Sequence, residues 1–539
     1  MPLMGSFYVG NSGLQTSQNA LNTTAHNISN ADTKGYVRQQ TLLGDKDYNT
    51  LSVNVAGISN KQSGLGVTYQ EVRQVRDIFL DNTYREENGR LSFYSTEYDA
   101  ISEVETLLGE MDGASFEGSI NDLWVAVQEM SKDPSSSVVQ GLFMQRAYAF
   151  VSDAQAVYQG LCNYQDNVNR EIKITVDKIN DIGNKIWDLN EQIRKIESGG
   201  IEHANDLKDQ RNELLDELSS YAKIEYSNDV MGNVLVKIEG HSFVNATRVN
   251  ELGTQIDETN GFYDVFWKDN ATKVRDPLGN VSYITDNAQL FDKNQEISSI
   301  IDTDIGKLKS LIVTRGDHRA DFRDCEGEAY DKISDSIVMT VQSEFDKLIH
   351  SVVNAVNQTL KDAFDAGDGN YLSDGNGNAL QVFHRKVSDP DVAEDLEKSE
   401  TLFSVANLVI NEELMQTPSK LGFVKPDGQV DYETADRLKQ LFEDMDYTLN
   451  PTASTRLSIK GFYSALVSQV ANDGSVIKNI RDNEQLTVDS TEAARQQIIG
   501  VSTDEELANM IRYQNAYNAN SRYINVINQM LEHLLNALA

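Results

Sequence analysis

The first thirty-one residues contain no Asp, Glu, Lys or Arg, in a chain where charged residues make up 24% of the sequence. At that average about seven would fall here, so the absence constrains how this stretch meets its surroundings. Within it Phe7, Leu14, Leu21 and Ile28 recur every seventh position, flanked by the small Ser17 and Thr24. That spacing marks one seam of an amphipathic helix. The opposite face is Asn, Gln, Ser and Thr, with no charge for water. A helix on a monomer's surface normally carries charges outward, so this one reads as packed on both faces.

The far end answers it. Ser502-Thr503-Asp504-Glu505-Glu506 offers a capping box, Ser502 with Glu505, and sets acids at the positive end of a helix dipole. Met510, Tyr513, Tyr517, Asn520, Ile524, Ile527, Leu531, Leu534 and Leu538 follow in alternating steps of three and four. This is a coiled-coil seam sustained over four heptads. A helix from about Thr503 to Leu538 would be ~54 Å long. Burying its large side chains yields roughly 12–24 kcal/mol gross, against about 36–72 kcal/mol of backbone entropy that its own hydrogen bonds offset in part. It needs a partner, and the N-terminal seam is the candidate: Phe7, Leu14, Leu21 and Ile28 against Ile524, Ile527, Leu531, Leu534 and Leu538. Packing of both ends onto one globular core is the alternative, and the uncharged outer face argues against it.

Between the N-terminal helix and the next segment stands Asn27-Ile28-Ser29-Asn30-Ala31-Asp32-Thr33-Lys34-Gly35-Tyr36-Val37-Arg38-Gln39. The Asn and Gly residues of this run supply left-handed positions and side-chain-to-backbone bonds that stop a helix and redirect the chain. This run resembles the N-terminal signature of the flagellar rod, hook and hook-associated axial proteins, where proline often stands at the position of Lys34. Ala516-Tyr517-Asn518-Ala519-Asn520-Ser521-Arg522 and the Leu534-Leu535 ending resemble the matching C-terminal signature. Gly64-Leu65-Gly66-Val67, Arg76-Asp77-Ile78-Phe79-Leu80 and the helix Asn205 to Leu218, with its Asp209-Gln210-Arg211, resemble the hook-associated branch.

The interior alternates in character. Seven prolines are spread so that Pro2 and Pro134 bracket one proline-free stretch and another runs from Pro451 to Ala539, which suits long helices. One helix is expected from Asp133-Pro134-Ser135 to about Ser198, ~90 Å long, closed by Gly199-Gly200. Val234, Val236 and Ile238 alternate, and Phe262 to Trp267 is aromatic and β-prone. Helix is expected again from Gly306 to about Phe364. Residues 365–378 are rich in Gly, Asp and Asn. Asp374, Asn376 and Asn378 match calcium-loop positions, but Arg385 stands where a bidentate Glu is required, so a turn is expected.

Lys and Arg total 47 against 83 Asp and Glu, a formal net charge of −36. Such a chain repels phosphate backbones and anionic membranes, and no apolar run approaches a membrane span. The N-terminus shows no basic and apolar pattern of a cleavable secretory signal. Cys162 and Cys325 lack neighbours at metal spacing. None of the seven histidines sits in a ligand spacing, and no nucleophile elbow or phosphate loop occurs. His318, beside Arg315, Asp317 and Arg319, reads as a structural ion-pair set. No catalytic, metal or cofactor site is expected, and the chain is not expected to be an enzyme.

The expected fold is mainly α with inserted β-rich domains, the N- and C-terminal helices pairing as an antiparallel coiled coil in a flagellin-like nested architecture. Residues 1–65 with 500–539 would form the terminal polymerisation domain, and 66–225 with 306–365 and 432–499 a helical bundle. Residues 226–305 would be an inserted β-rich domain, and 366–431 a second mixed, flexible segment. The resemblance implies a structural adaptor between hook and filament, outside the cell, exported through the flagellar type III apparatus without a cleaved signal. It implies as partners further copies in a ring or helical oligomer, the hook protein, the second junction protein, and a cytoplasmic export chaperone on the C-terminal helix. The implied assembly interface is Phe7, Leu14, Leu21, Ile28, Asn30, Gly35, Tyr36, Met510, Tyr513, Tyr517, Ile524, Ile527, Leu531, Leu534 and Leu538. A hook, rod or second junction protein is the alternative within the family. From outside it, the inserted domain could be an enzyme or bind glycans through Tyr263, Phe266 and Trp267.

Overall fold

A computed structural model describes residues 3–53, 60–109, 116–200, 203–275, 281–285, 287–292, 295–367, 371–375, 377–386 and 392–538. Contacts group the chain into two compact units. The first holds residues 1–90, 178–251 and 484–539, and the second holds 91–177 and 252–483. Helices α2 (Ile78–Leu108), α4 (Ser137–Glu197) and α11 (Ile459–Ile499) contribute a segment to each.

In the first unit α1 (Leu3–Ser29) packs along α12 (Thr503–Leu538), which occupies the span its seam predicts. Between them in sequence lie β1 (Gln39–Asp45), β2 (Tyr48–Val53), β3 (Asn60–Gly64) and β4 (Val67–Gln74). β1 pairs antiparallel with β4, and β2 with β3. β4 enters directly under α1. Gly66 takes φ +98°, and a Cβ there would collide with the Ser12 hydroxyl, which accepts the Val67 N–H at 3.3 Å. Helix α5 (Asn205–Tyr221) buries Leu215 and Leu218. A sheet of β5 (Ile224–Asn228), β6 (Val234–Ile238) and β7 (His241–Val244) follows, burying the alternating Val234, Val236 and Ile238. Phe243 packs onto α4 at Gly183, where any side chain would strike the ring.

The second unit is built on one large apolar core. Phe116 of α3 (Phe116–Lys132) sits between Phe150 of α4, Phe345 of α8 (Ile337–Ala366) and Tyr463 of α11, with centroids 5.0–5.5 Å apart. Along α4 the buried positions 161, 165, 168, 172, 176 and 179 step by three and four. This periodicity is why a 61-residue helix holds together. β8 (Leu252–Ile256) pairs with β9 (Tyr263–Trp267), and β10 (Thr272–Arg275) with β11 (Val281–Ile284).

The structure departs from expectation at several points. The helix expected over 306–364 is interrupted. α6 (Lys307–Arg315) stops at Gly316, whose φ is +72° and whose Cβ position is taken by Met339 Sδ. A 3₁₀ turn (Phe322–Cys325) and α7 (Gly327–Ile333) intervene before Ser336 caps α8. The stretch 226–305 supplies β5–β7 to the first unit and β8–β11 to the second, because its hairpins pack on different lengths of α4. Residues 366–431 bring β12 (Phe383–Arg385), β13 (Leu408–Ile410) and α9 (Glu412–Gln416). Phe383, Val405 and Leu408 of this stretch have no exposed surface in the second unit's core. α10 (Tyr432–Glu443) then resumes the helical pattern. At the calcium-like turn Asp374 accepts from Asn378, Arg385 donates to the Thr401 and Val392 carbonyls, and Asn376 lies outside the described residues.

Candidate assembly interface at the paired chain ends

Helices α1 and α12 run antiparallel and very close. A Cβ at Gly10 would stand 2.9 Å from Ile524 Cγ1, and one at Gly13 would stand 2.7 Å from the Asn520 amide. The positions of α1 that are fully covered are Gly10, Thr16, Ser17, Ala20, Thr24 and Asn27. Apart from Thr16, and with Gly13 completing the series, they step alternately by three and four. Small residues let two backbones approach, as in close helix pairs generally. The heptad residues Phe7, Leu14, Leu21 and Ile28 lie beside this line and are half-buried. On α12, Met510, Tyr513, Tyr517, Ile524 and Leu531 are likewise half-buried, and Ile527 is 2% exposed. Leu534 is 46% exposed, and the side chain of Leu538 lies outside the described residues.

The turn after α1 is a dense polar knot. Asn30 donates from its backbone and side chain to the His26 carbonyl, at 3.1 and 3.0 Å, and its Oδ1 accepts from Thr33. Gly35 takes φ +77°. Tyr36 Oη donates to Asn27 Oδ1 at 2.7 Å, and its ring stands edge-on to His26. Burial first, and then Asp206 and Asp209, raises the Tyr36 hydroxyl above its ordinary range, so it stays a donor. Asn27, 1% exposed, also accepts the Gln39 N–H at 3.0 Å and donates to the Gln39 carbonyl at 2.9 Å. One side chain thus does the work of a neighbouring strand.

The knot also ties the chain ends together. Arg38 N–H donates to the Ile499 carbonyl at 2.9 Å, and its guanidinium meets Glu506 at 2.9 Å and Glu505 at 3.1 Å. Glu505 N–H bonds the Ser502 hydroxyl at 3.4 Å, so the expected cap forms from the Ser502 side while the Glu505 carboxylate turns to Arg38. From α5, Asp209 accepts the Val37 N–H at 3.2 Å and the Gln74 amide at 2.6 Å. Burial pushes its carboxyl up to about 7, against the pull of those bonds and of Arg76.

Sequence reasoning missed Asn27, Arg38, Glu506 and Asp209 as the fastening groups. It also passed over the line of small residues, whose signal was present as steps of three and four from Gly10 to Asn27. Elsewhere, His318 holds Asp317 at 2.6 Å and Asp324 at 3.2 Å. These bonds push its pKa up to about 10, so it is a fixed cation rather than a base. Arg319 pairs with Asp166, and Arg315 donates to Asn169 and to the Tyr263 carbonyl. Phe266 and Trp267 are buried. Among the described residues no group of three or more His, Cys, Asp or Glu could hold a metal, and no helix is long and apolar enough to cross a membrane.

The flagellar hook-associated protein FlgK helical domain matches residues 101–374. The chain belongs to the FlgK hook-associated protein family. The ends carry two further matches, the flagella basal body rod protein family at residues 7–36 and the flagellar basal body rod FlgEFG protein C-terminal family at residues 497–537. Flagellar hook-associated protein 1 of Bacillus subtilis is 28% identical over 97% of this chain and 96% of its own length. The Salmonella typhimurium protein of the same name is 25% identical over 97% and 98%. The flagellar hook junction protein FlgK of Burkholderia pseudomallei shares the fold, with a TM-score of 0.54 at 13% identity over 78% of this chain and all of that one. A FlgK-family chain is a flagellar structural protein, and the knot and paired helices occupy the segments it shares with rod and hook proteins.

Proposed function

We propose that this chain is the structural adaptor that joins hook to filament, polymerising through α1 and α12 and carrying no catalytic activity. What supports this reading is apolar surface that intramolecular pairing leaves uncovered. Val526, Met530, Leu534 and Leu535 of α12 and Met4 and Tyr8 of α1 are each at least 46% exposed. Large side chains clustered at one end of a helix pair mark a surface that another chain covers. The half-buried seam residues, together with Asn30, Gly35 and Tyr36 at the knot, set the geometry of that surface.

The partners on this reading are further copies of the chain, the hook protein on one side and the second junction protein on the other. A chaperone would cover α12 before export through the flagellar apparatus. Deleting residues 505–539 should give cells with hooks but no filaments and release filament protein into the medium. Normal filaments in that strain would sink the adaptor reading. The glycan-binding alternative loses support because Phe266 and Trp267 are spent on the core.

A further inference from the structure

The Asp209-Gln210-Arg211 run of α5 is only half accounted for by the knot. Asp209 fastens the turn, but Arg211 points elsewhere. It is 5% exposed, donates through Nη1 to Asn190 Oδ1 at 2.7 Å and the Gly232 carbonyl at 3.2 Å, and leaves Nε without a partner. Among the described residues no carboxylate lies within ion-pair distance of it. Burial pulls it down to about 10, against the attraction of Glu197 and helped by the repulsion of Arg76. A buried guanidinium with no carboxylate in direct contact is costly.

A second cation shares the same wall. Arg76, at the end of β4, gives Nε to Asp81 at 2.9 Å, while both its Nη1 and Nη2 are buried without a partner. Arg76 and Arg211 line one pocket of about 550 Å³, formed by β4, α5 and the β5–β6 hairpin. The acids around it are already engaged. Asp81 also meets Arg495 at 2.8 Å, Glu197 holds Lys208 at 2.6 Å, and Glu71 faces His203 at 3.5 Å. In a chain of net charge −36, a pocket lined by three arginines, two of which hold three nitrogens still to be satisfied, is out of character with the rest of the surface.

We propose that this pocket binds a small tetrahedral oxyanion of the phosphate or sulfate class through Arg76 and Arg211. Planar forks of N–H donors match oxyanions in geometry as well as charge. The anion would neutralise Arg211 and bind β4 to α5 and the hairpin, stabilising the first unit by mass action.

The test uses the full chain titrated with inorganic phosphate or with chloride at matched ionic strength, read by thermal unfolding and by line broadening of the phosphate ³¹P resonance. The expected result is a saturable rise in Tm and broadening with phosphate that chloride does not reproduce. Arg211→Gln should weaken phosphate binding at least tenfold, whereas Arg456→Gln, at an exposed surface pair, should leave it intact. Should Arg211→Gln fail to fold, Arg211→Lys serves. It keeps the charge but loses Nε, and it should still bind more weakly than the native chain. Equal responses to phosphate and chloride in the native chain, or undiminished phosphate binding in the folded Arg211 variant, would overturn the proposal.

Discussion

The core of the second unit and the paired chain ends of the first use the same spacing of three and four residues, filled in opposite ways. In the core the spacing carries Phe116, Phe150, Phe345 and Tyr463, each 4% exposed or less. At the ends, the covered line of α1 carries Gly, Ser, Ala, Thr and Asn, and the large side chains are displaced to its edges. A seam of large residues ends in a closed core. A seam of small ones brings two backbones together and leaves the large residues facing outward, available to something else. The first arrangement stabilises the monomer, and the second leaves the apolar surface on which the proposed assembly rests.

The sharpest way to break this comparison is to damage the core and look at the ends. Phe345→Ala removes a ring with no exposed surface that stands 5.0 Å from Phe116. It should cost the second unit about 3–5 kcal/mol, measured by urea unfolding, while hydrogen exchange along α1 and α12 stays unchanged. Equal loss of protection in α12 would mean that the two regions are not energetically separate.

At the ends, the corresponding weak point is polar. Asn27→Ala orphans the Gln39 N–H and carbonyl and the Tyr36 hydroxyl. The expected cost is roughly 1–3 kcal/mol, with faster exchange at Tyr36 to Gln39 and little change in the core. Asn27→Asp keeps the acceptor and loses the donor, so it should fall between.

Asp209 gives the knot a pH dependence that can be separated from the rest. Its folded pKa, up at about 7, lies above the unfolded value of about 3.9. The folded state therefore holds the proton more tightly. Stability from this group is fully present below about pH 4 and is lost as pH rises toward 7. Asp209→Asn removes that loss while keeping an oxygen for the Val37 N–H. Relative to the native chain, the variant should gain stability between pH 4 and 7, by about 1.4 kcal/mol for each unit of pKa shift that the knot truly imposes. Parallel urea midpoints across that range would show that the carboxyl is not burdened.

What was legible in sequence follows the same division. The bounds of α12, the long α4, the alternation in β6 and the need of the two ends for each other were readable because large apolar residues repeat there. The strands β1 to β4 were not, since residues such as Gln39, Gln40 and Thr41 hide a strand's alternation in polar side chains. The break after Arg315 depends on Gly316 meeting Met339, a contact between distant positions that local patterning does not contain. The signature turn was read as a turn, with Asn30, Gly35 and Tyr36 named. Its fasteners Arg38, Glu506 and Asp209 escaped because each acts across 172 to 468 residues of chain.

The smallest expected effect on folding is the most informative about purpose. Met530 and Leu534 are 54% and 46% exposed, so Met530→Ser with Leu534→Ser should move the stability of the monomer by about 0.5 kcal/mol or less at each site. If these side chains serve only the monomer, the double variant will also build normal flagella. If they are the surface that pairing leaves for neighbouring copies, the variant will be exported and folded, with an unchanged circular dichroism spectrum, and yet the junction will fail, leaving hooks without filaments. A core variant chosen for equal loss of stability controls for the folding term. The end variant should separate assembly from stability, because Met530 and Leu534 lie in a cluster of exposed apolar side chains at one end of the helix pair, where another chain can cover them.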